Sequence, residues 1–179
     1  ISACIITFNE ADRIGDCLAS LAFCEEIVVV DSGSTDDTCA IAERAGARVL
    51  VRPFDGYRSQ KQFAVGQASH DWVLCLDADE RVSPELRAQI EAARQRGFAG
   101  AGGYRFARLS EYFGKFLRRG NAYPDHVLRL FDRRRGGWRG DREIHEAASV
   151  DGKVQTLAGD LIHFPYRNFD QQLRKTQRY

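Results

Sequence analysis

Three carboxylates fall within four positions in the stretch "WVLCLDADE", at Asp77, Asp79 and Glu80, directly after an apolar run. Two carboxylates one residue apart, where a chain leaves a strand, can both reach one hard cation. Mg²⁺ and Mn²⁺ favour such oxygen ligands and share their shell with substrate phosphates. The plain alternative is a solvated acidic turn ahead of the helix that Ser83 would cap. Asp31 likewise closes an apolar run, "EIVVVD", and leads into "SGS". Alone, it could simply start that turn. Ligands of open parallel sheets sit beyond the carboxyl ends of the strands, so two strands that both close on Asp would bring carboxylates to one edge. The other two strand ends expected there read Thr7-Phe8-Asn9-Glu10 and Arg52-Pro53-Phe54-Asp55. No GxGxxG follows the first strand and no GxxxxGKS/T occurs, which argues against a dinucleotide-binding Rossmann protein and a P-loop enzyme. Any phosphate bound here must be balanced by a metal or by side chains.

The elements that would carry these residues alternate. "SACIITF", "EIVVVD", "ARVLVR" and "WVLCLD" are short, continuous apolar runs, as strands covered on both faces are. Between them lie helical patterns. Ile14, Leu18 and Leu21 recur in the first, where Asn9 with Asp12 resembles a capping box. The second runs to a stop at Gly46, and "YRSQKQFAVGQAS" is the third. "SPELRAQIEAARQRG" has Ser83 as cap, Pro84 at the first position and Gly97 at the end. This alternation predicts an α/β, Rossmann-like fold with a mostly parallel central sheet flanked by helices. The rhythm breaks after Gly103. "YRFARLSEYF", "HVLRLFD" and "KVQTLAG" read as strands of a mixed sheet, and "NFDQQLRKTQRY" as a closing helix. Residues 1–103 are therefore taken as one half and 104–179 as the second half of a single domain.

Charge divides the same way. The net charge of the 179 residues is only +1. Residues 1–103 carry 10 Lys/Arg and 16 Asp/Glu, a balance of −6, whereas 104–145 carry 11 and 5, a balance of +6. A cation suits the first part and an anionic molecule or surface the second. In the basic part Arg118, Arg119, Arg133, Arg134, Arg135, Arg139 and Arg142 flank Phe116, Tyr123, Phe131 and Trp138. That mixture suits a phosphorylated glycolipid or an anionic membrane surface, or a plain solvated loop. No RNP or zinc pattern supports nucleic acid, so none is expected as a partner. Cys4, Cys17, Cys24, Cys39 and Cys75 are odd in number and lack CxxC spacing, which suits free thiols in a reducing, cytoplasmic compartment. No run is long enough to span a membrane, and no signal peptide is recognisable. A start at Ile1 and an end inside a helical pattern suggest a piece of a longer protein, truncated at the C-terminus.

The chain resembles glycosyltransferase family 2, enzymes of GT-A fold that use nucleotide sugars. "CIITFNEADRIGDCLASL" is similar to that family's opening strand and helix. "EIVVVDSGSTDDT" is similar to its second strand and turn, and "LDADE" to its D-x-D motif. "YPDHVLRLF", "REIHE" and "LIHFPYRNFDQQLRKTQRY" resemble the branch that adds sugars to bacterial lipopolysaccharide core and related envelope acceptors. One departure lies in "QKQFA", where members often carry Asn in place of Gln62.

The resemblance implies a role for each matching position. Thr7, Asn9 and Glu10 would line the nucleotide pocket, with Asp31 accepting a hydrogen bond from the base, a uracil. Lys61 would lie near the diphosphate or the Asp cluster, and Asp77 would face the ribose or donor sugar. Asp79 would hold Mg²⁺ or Mn²⁺ on the diphosphate, and His163 is similar to a distal His that completes the metal shell in some relatives. The metal neutralises charge on the leaving oxygen while an acceptor hydroxyl attacks from the opposite face, so carbon one inverts. A carboxylate must take the hydroxyl's proton. Candidates are Asp125, Asp141, Glu143 and Glu146. The similarity of "REIHE" to the branch motif favours Glu146, with His145 beside it and Asp125 as second choice. The expected partners are a UDP-sugar donor and a saccharide or glycolipid acceptor, with peripheral contact to the inner face of an anionic membrane. Two rival readings are a sugar-phosphate nucleotidylyltransferase, whose Gly-rich loop "TFNEADRIG" lacks, and a non-catalytic nucleotide-sugar-binding module.

Overall fold

The computed structural model describes residues 1–112, 114–138 and 147–166. Strand β1 (Ser2–Thr7) is buried at all six positions. It lies between β2 (Glu26–Asp31) and β4 (Trp72–Asp77), parallel to both, and β3 (Arg48–Val51) flanks β2. Burial on both faces explains why these strands are unbroken apolar runs. Alternate residues face opposite sides. Ala3 and Ile5 of β1 with Leu74 and Leu76 of β4 pack among helices α1 (Ile14–Ser20), α2 (Thr38–Arg44) and α4 (Pro84–Gln95). Cys4, Ile6, Val73 and Cys75 face α3 (Tyr57–Gln67) and the small β9–β10 hairpin (Gly136–Trp138, Ala148–Val150).

The second half continues the same sheet. β8 (Asp125–Asp132) runs antiparallel between β4 and β6 (Gly103–Tyr112), β11 (Val154–His163) runs parallel to β6, and the short β7 (Lys115–Phe116) pairs with β6. The main order is β3-β2-β1-β4-β8-β6-β11-β5. β5 (Glu80–Val82) follows β4 after only two residues, Ala78 and Asp79, yet its partner is β11, three strands beyond β4 along the ladder. A sheet that returns so far to meet its own chain must curl. The link between the two ends of that curl contains Asp79.

Most of the predicted elements form, with instructive differences. Ser83 does cap α4, accepting from the Leu86 N–H at 3.2 Å. The Asn9–Asp12 capping box does not form. α1 starts later, with Arg13 at the N-cap and no side-chain capping bond, because the Asn9 amide is recruited by the neighbouring turn. The strand expected at "KVQTLAG" runs on to His163, with a register shift between Thr156 and Asp160. Gly159 sits in that irregularity at φ +90°, and a Cβ there would lie 2.4 Å from the Leu86 nitrogen. The closing helix expected at residues 168–179 lies outside the described residues.

Candidate active site

The parallel register puts Thr7 beside Asp31 and Ile6 beside Asp77. Three strands therefore deliver their ends to one edge, as the sequence reading required. The first two ends are stitched together. Asp31 is buried, and its Oδ1 accepts from the backbone N–H groups of Gly33 (2.8 Å) and Ser34 (2.7 Å) while Oδ2 accepts from the Ser34 hydroxyl. Asn9 adopts φ +54°; its N–H donates to Ser34 Oγ (2.7 Å) and its Oδ1 accepts from the Thr35 N–H (2.8 Å). The Glu10 N–H donates to Thr38 Oγ1 at 2.9 Å and the Ala11 N–H to Asp36 at 3.2 Å. The polar residues of "DSGSTDDT" thus fasten the turn after β2 to the turn after β1. A carboxylate offers about four lone-pair sites; the turn fills three of those of Asp31, and the Cys39 thiol also bonds to this carboxylate, which adds to burial in raising the thiol's pKa. Thr7 Oγ1 is buried and has no hydrogen-bond partner among the described residues, so it retains a donor to offer a ligand.

The other end carries charge. Lys61 Nζ of α3 lies 3.1 Å from Asp77 Oδ1, and Arg129 Nη2 of β8 lies 3.3 Å from Asp77 Oδ2 and 2.9 Å from Glu80 Oε1. Burial disfavours the Asp77 carboxylate, but the Lys61 ammonium and Arg129 guanidinium outweigh it and hold the carboxyl well below the usual carboxylate range. Glu80 is completely buried, and its Oε2 accepts the Asp77 N–H at 3.0 Å. Arg108 of β6 extends the array, 3.9 Å from Glu80 and 2.7 Å from Asp125 Oδ2. Carboxylate and cation alternate from Asp125 through Arg108, Glu80, Arg129 and Asp77 to Lys61. Like charges in "DADE" are tolerable because cations from three other elements separate them.

Asp79 stands apart from that array. Its Oδ2 lies 3.5 Å from His163 Nε2, and the Phe164 N–H donates to its carbonyl at 2.9 Å. His163 Nδ1 is 2.9 Å from Ser110 Oγ. When Nδ1 carries the proton and donates to Ser110, Nε2 presents its lone pair beside the carboxylate, the tautomer a metal ligand needs. An oxygen and an imidazole nitrogen suit a divalent cation of the Mg²⁺–Mn²⁺ class. Among the described residues no three His, Cys, Asp or Glu side chains form a metal cluster, so such an ion would draw the rest of its shell from substrate oxygens and water.

The structure gathers Lys61, Asp77, Asp79, Asp125 and His163 into one region, with Thr7, Asn9, Glu10 and Asp31 along the same edge. Glu146, like Asp141, Glu143, His145, Arg139 and Arg142, lies outside the described residues. Gln62 does not reach the charge array; its Oε1 accepts the Trp138 N–H at 2.8 Å and fixes β9 on α3. The Arg133–Arg135 run has partners of its own. Arg133 donates to the His70 carbonyl at 2.9 Å, and Arg134 pairs with Asp132 (2.7 Å) and Asp71 (2.8 Å). Those contacts lie at the amino end of β4, the edge opposite the site. Sequence reasoning missed Arg129, Arg108 and the structural role of Glu80. A signal existed for Arg129: a lone cation between Leu128 and Leu130 in an apolar strand must find a buried partner.

The Glycosyl transferase family 2 model matches residues 2–150. The lipopolysaccharide core biosynthesis glycosyltransferase LpsC of Rhizobium meliloti (strain 1021) is 37% identical over 188 residues, covering 100% of this chain and 68% of LpsC. An uncharacterised glycosyltransferase of Rickettsia felis is 53% identical over 92 residues, covering 51% of this chain and 32% of the relative. The chain thus spans between about a third and two thirds of these relatives' lengths. The structure of S. aureus TarS 1-349 in complex with UDP-GlcNAc has a TM-score of 0.65, covering 96% of this chain and 60% of that one. At 16% identity that likeness concerns the fold alone.

Proposed function

The chain belongs to glycosyltransferase family 2 and has its GT-A architecture, and from that premise we propose a metal-dependent, inverting transfer of sugar from a UDP-sugar to a saccharide or lipid-linked saccharide of the bacterial envelope. The observation that carries the metal-dependent donor site is the pairing of Asp79 with His163, 3.5 Å apart on the edge where the ends of β1, β2 and β4 converge. The likeness to LpsC supports the envelope acceptor.

In this reading Asp79 and His163 hold Mg²⁺ or Mn²⁺, which when bound acts as a Lewis acid on the departing diphosphate. Thr7 Oγ1, the turn of Asn9 and Glu10, and Asp31 form the nucleotide end. Asp31 is the acceptor for the imide N–H of a uracil. Asp77 accepts hydroxyls of the ribose or sugar, and Lys61 beside it adds positive charge near the diphosphate. The acceptor's proton passes to Glu146. Asp125 is less suited, because Arg108 already occupies one of its oxygens. A single displacement inverts carbon one.

The five free cysteines, three of them buried, support a reducing, cytoplasmic setting. Among the described residues no helix is long and apolar enough to cross a membrane. Peripheral contact with an anionic membrane is better supported by exposed Lys115, Phe116, Leu117, Arg118 and Arg119, which follow β6 on the site's edge, than by Arg133–Arg135.

Titration of UDP and UDP-sugars with and without Mn²⁺ tests the donor site. Mn²⁺ is expected to tighten binding in the wild type but not in Asp79→Asn. Equal Mn²⁺-dependent affinity in that variant would sink the metal assignment. Glu146→Gln should keep donor affinity and lose transfer by about a hundredfold or more; full transfer would move the base elsewhere, to Asp125 first.

A further inference from the structure

Arg129 is an expensive residue to place where it is. It is 4% exposed. Among the described residues its Nε and Nη1 have no hydrogen-bond acceptor, and its guanidinium carbon lies 5.4 Å from the Trp138 ring centroid. Buried ion pairs contribute weakly to stability compared with apolar residues of similar volume, so stability alone explains little here.

Two independent features point instead to Asp77. The first is a closed loop of bonds. Arg129 Nη2 bridges Asp77 Oδ2 (3.3 Å) and Glu80 Oε1 (2.9 Å), and Glu80 Oε2 accepts the Asp77 N–H (3.0 Å). Asp77 is thereby held at its backbone and at its carboxylate by the same pair. The second is a bulge. Tyr104 of β6 pairs with Leu130 of β8, but Arg105 pairs with Leu128, which leaves Arg129 as the extra residue. The β4–β8 ladder also ends at Leu74 and Leu130. Bulges beside active sites re-aim side chains, and this one aims Arg129 across the opened seam at the end of β4.

We propose that Arg129, clamped by Glu80, is a positioning residue that holds the Asp77 carboxylate in the orientation from which it accepts hydroxyls of the donor. The inference rests on the reading of this edge as a UDP-sugar site. Lys61 supplies charge on the other side of Asp77, 3.1 Å from its Oδ1.

The test is a cycle read by donor affinity, with melting temperature alongside. Arg129→Met/Glu80→Gln removes the buried charges as a matched pair. It is expected to weaken UDP-sugar binding with Mn²⁺ about tenfold, at a temperature where the variant is fully folded. Asp77→Asn should weaken the wild type similarly but add little in the double variant, because the orientation it depends on is already lost. Arg129→Lys keeps the charge, but its ammonium stops one bond short of the Nη2 position that bridges the two carboxylates, and it should show the same loss. If the double variant does not fold, Arg129→Lys decides. A lower melting temperature with unchanged donor affinity, or losses that add in full, would overturn the proposal. Wild-type protein that binds neither UDP nor UDP-sugar overturns the donor reading and this inference with it. Wild-type binding left intact by the substitutions overturns the clamp alone.

Discussion

Carboxylates at opposite ends of β2 show how neighbours decide what a residue does. Asp31, at the carboxyl end, serves its own turn and the edge where a nucleotide would lie. Glu26, at the amino end, accepts from Ser2 Oγ, the Ser69 N–H and hydroxyl (2.7 and 2.9 Å) and Arg48 (2.9 Å). Burial raises its pKa, but these donors outweigh it and bring the group down to about 2. A carboxyl depressed in the folded state stabilises above its unfolded value near 4.5 and loses that contribution as pH falls through the folded value. Glu26→Gln should therefore cost roughly 2 kcal/mol at pH 7, after discounting for partial solvent screening. The difference from wild type should vanish by about pH 2, as urea denaturation at several pH values would show. The sequence made Asp77 and Asp79 readable because apolar runs and acidic ends are local. It hid Glu80's purpose, since nothing in "DADE" says which carboxylate turns inward to meet a cation 49 positions away.

Elements were legible where their signals are local and repeated. Four apolar runs became four parallel strands, and a Ser-Pro start and a Gly stop bounded α4. β5, β7, β9 and β10 have two or three residues each, too short for any periodicity to register. They exist because a partner completes the ladder: β5 needs β11, about 80 positions on, whereas β7 folds back on the end of β6 and β9 pairs with β10. The bulge in β11 has the same character. Asp160 donates its N–H to Ser83 Oγ (3.2 Å) and accepts from the Ser83 N–H (3.1 Å), which seats the start of α4 against the strand. Gly159→Ala would place a methyl against the Leu86 backbone at a positive φ. It is expected to destabilise by about 2–4 kcal/mol, measured by denaturant unfolding. A loss below about 0.5 kcal/mol would mean the helix moves freely to accommodate it.

At the scale of the whole molecule, the two differently charged parts share one sheet, and their charges meet at the seam where Arg108 and Arg129 reach Glu80. The arginine run at residues 133–135 lies at the other edge. Changing all three to Ser should leave UDP-sugar affinity within about twofold of wild type, by calorimetry, while lowering the melting temperature through the lost Asp71 and Asp132 pairs. A larger affinity loss would show that the far edge communicates with the site. The curl of the sheet also bears on how the protein is made. Asp79 and His163 are 84 positions apart, and they meet only when the last described strand joins β5. At about 5–20 residues per second, a ribosome needs several seconds to add that stretch. The turns after β1 and β2, fastened to each other within the first 38 residues, emerge long before the partner of Asp79 does. On the proposed roles, a nascent chain would assemble its nucleotide-binding turns first and its cation pair only after its own late strand has emerged and docked.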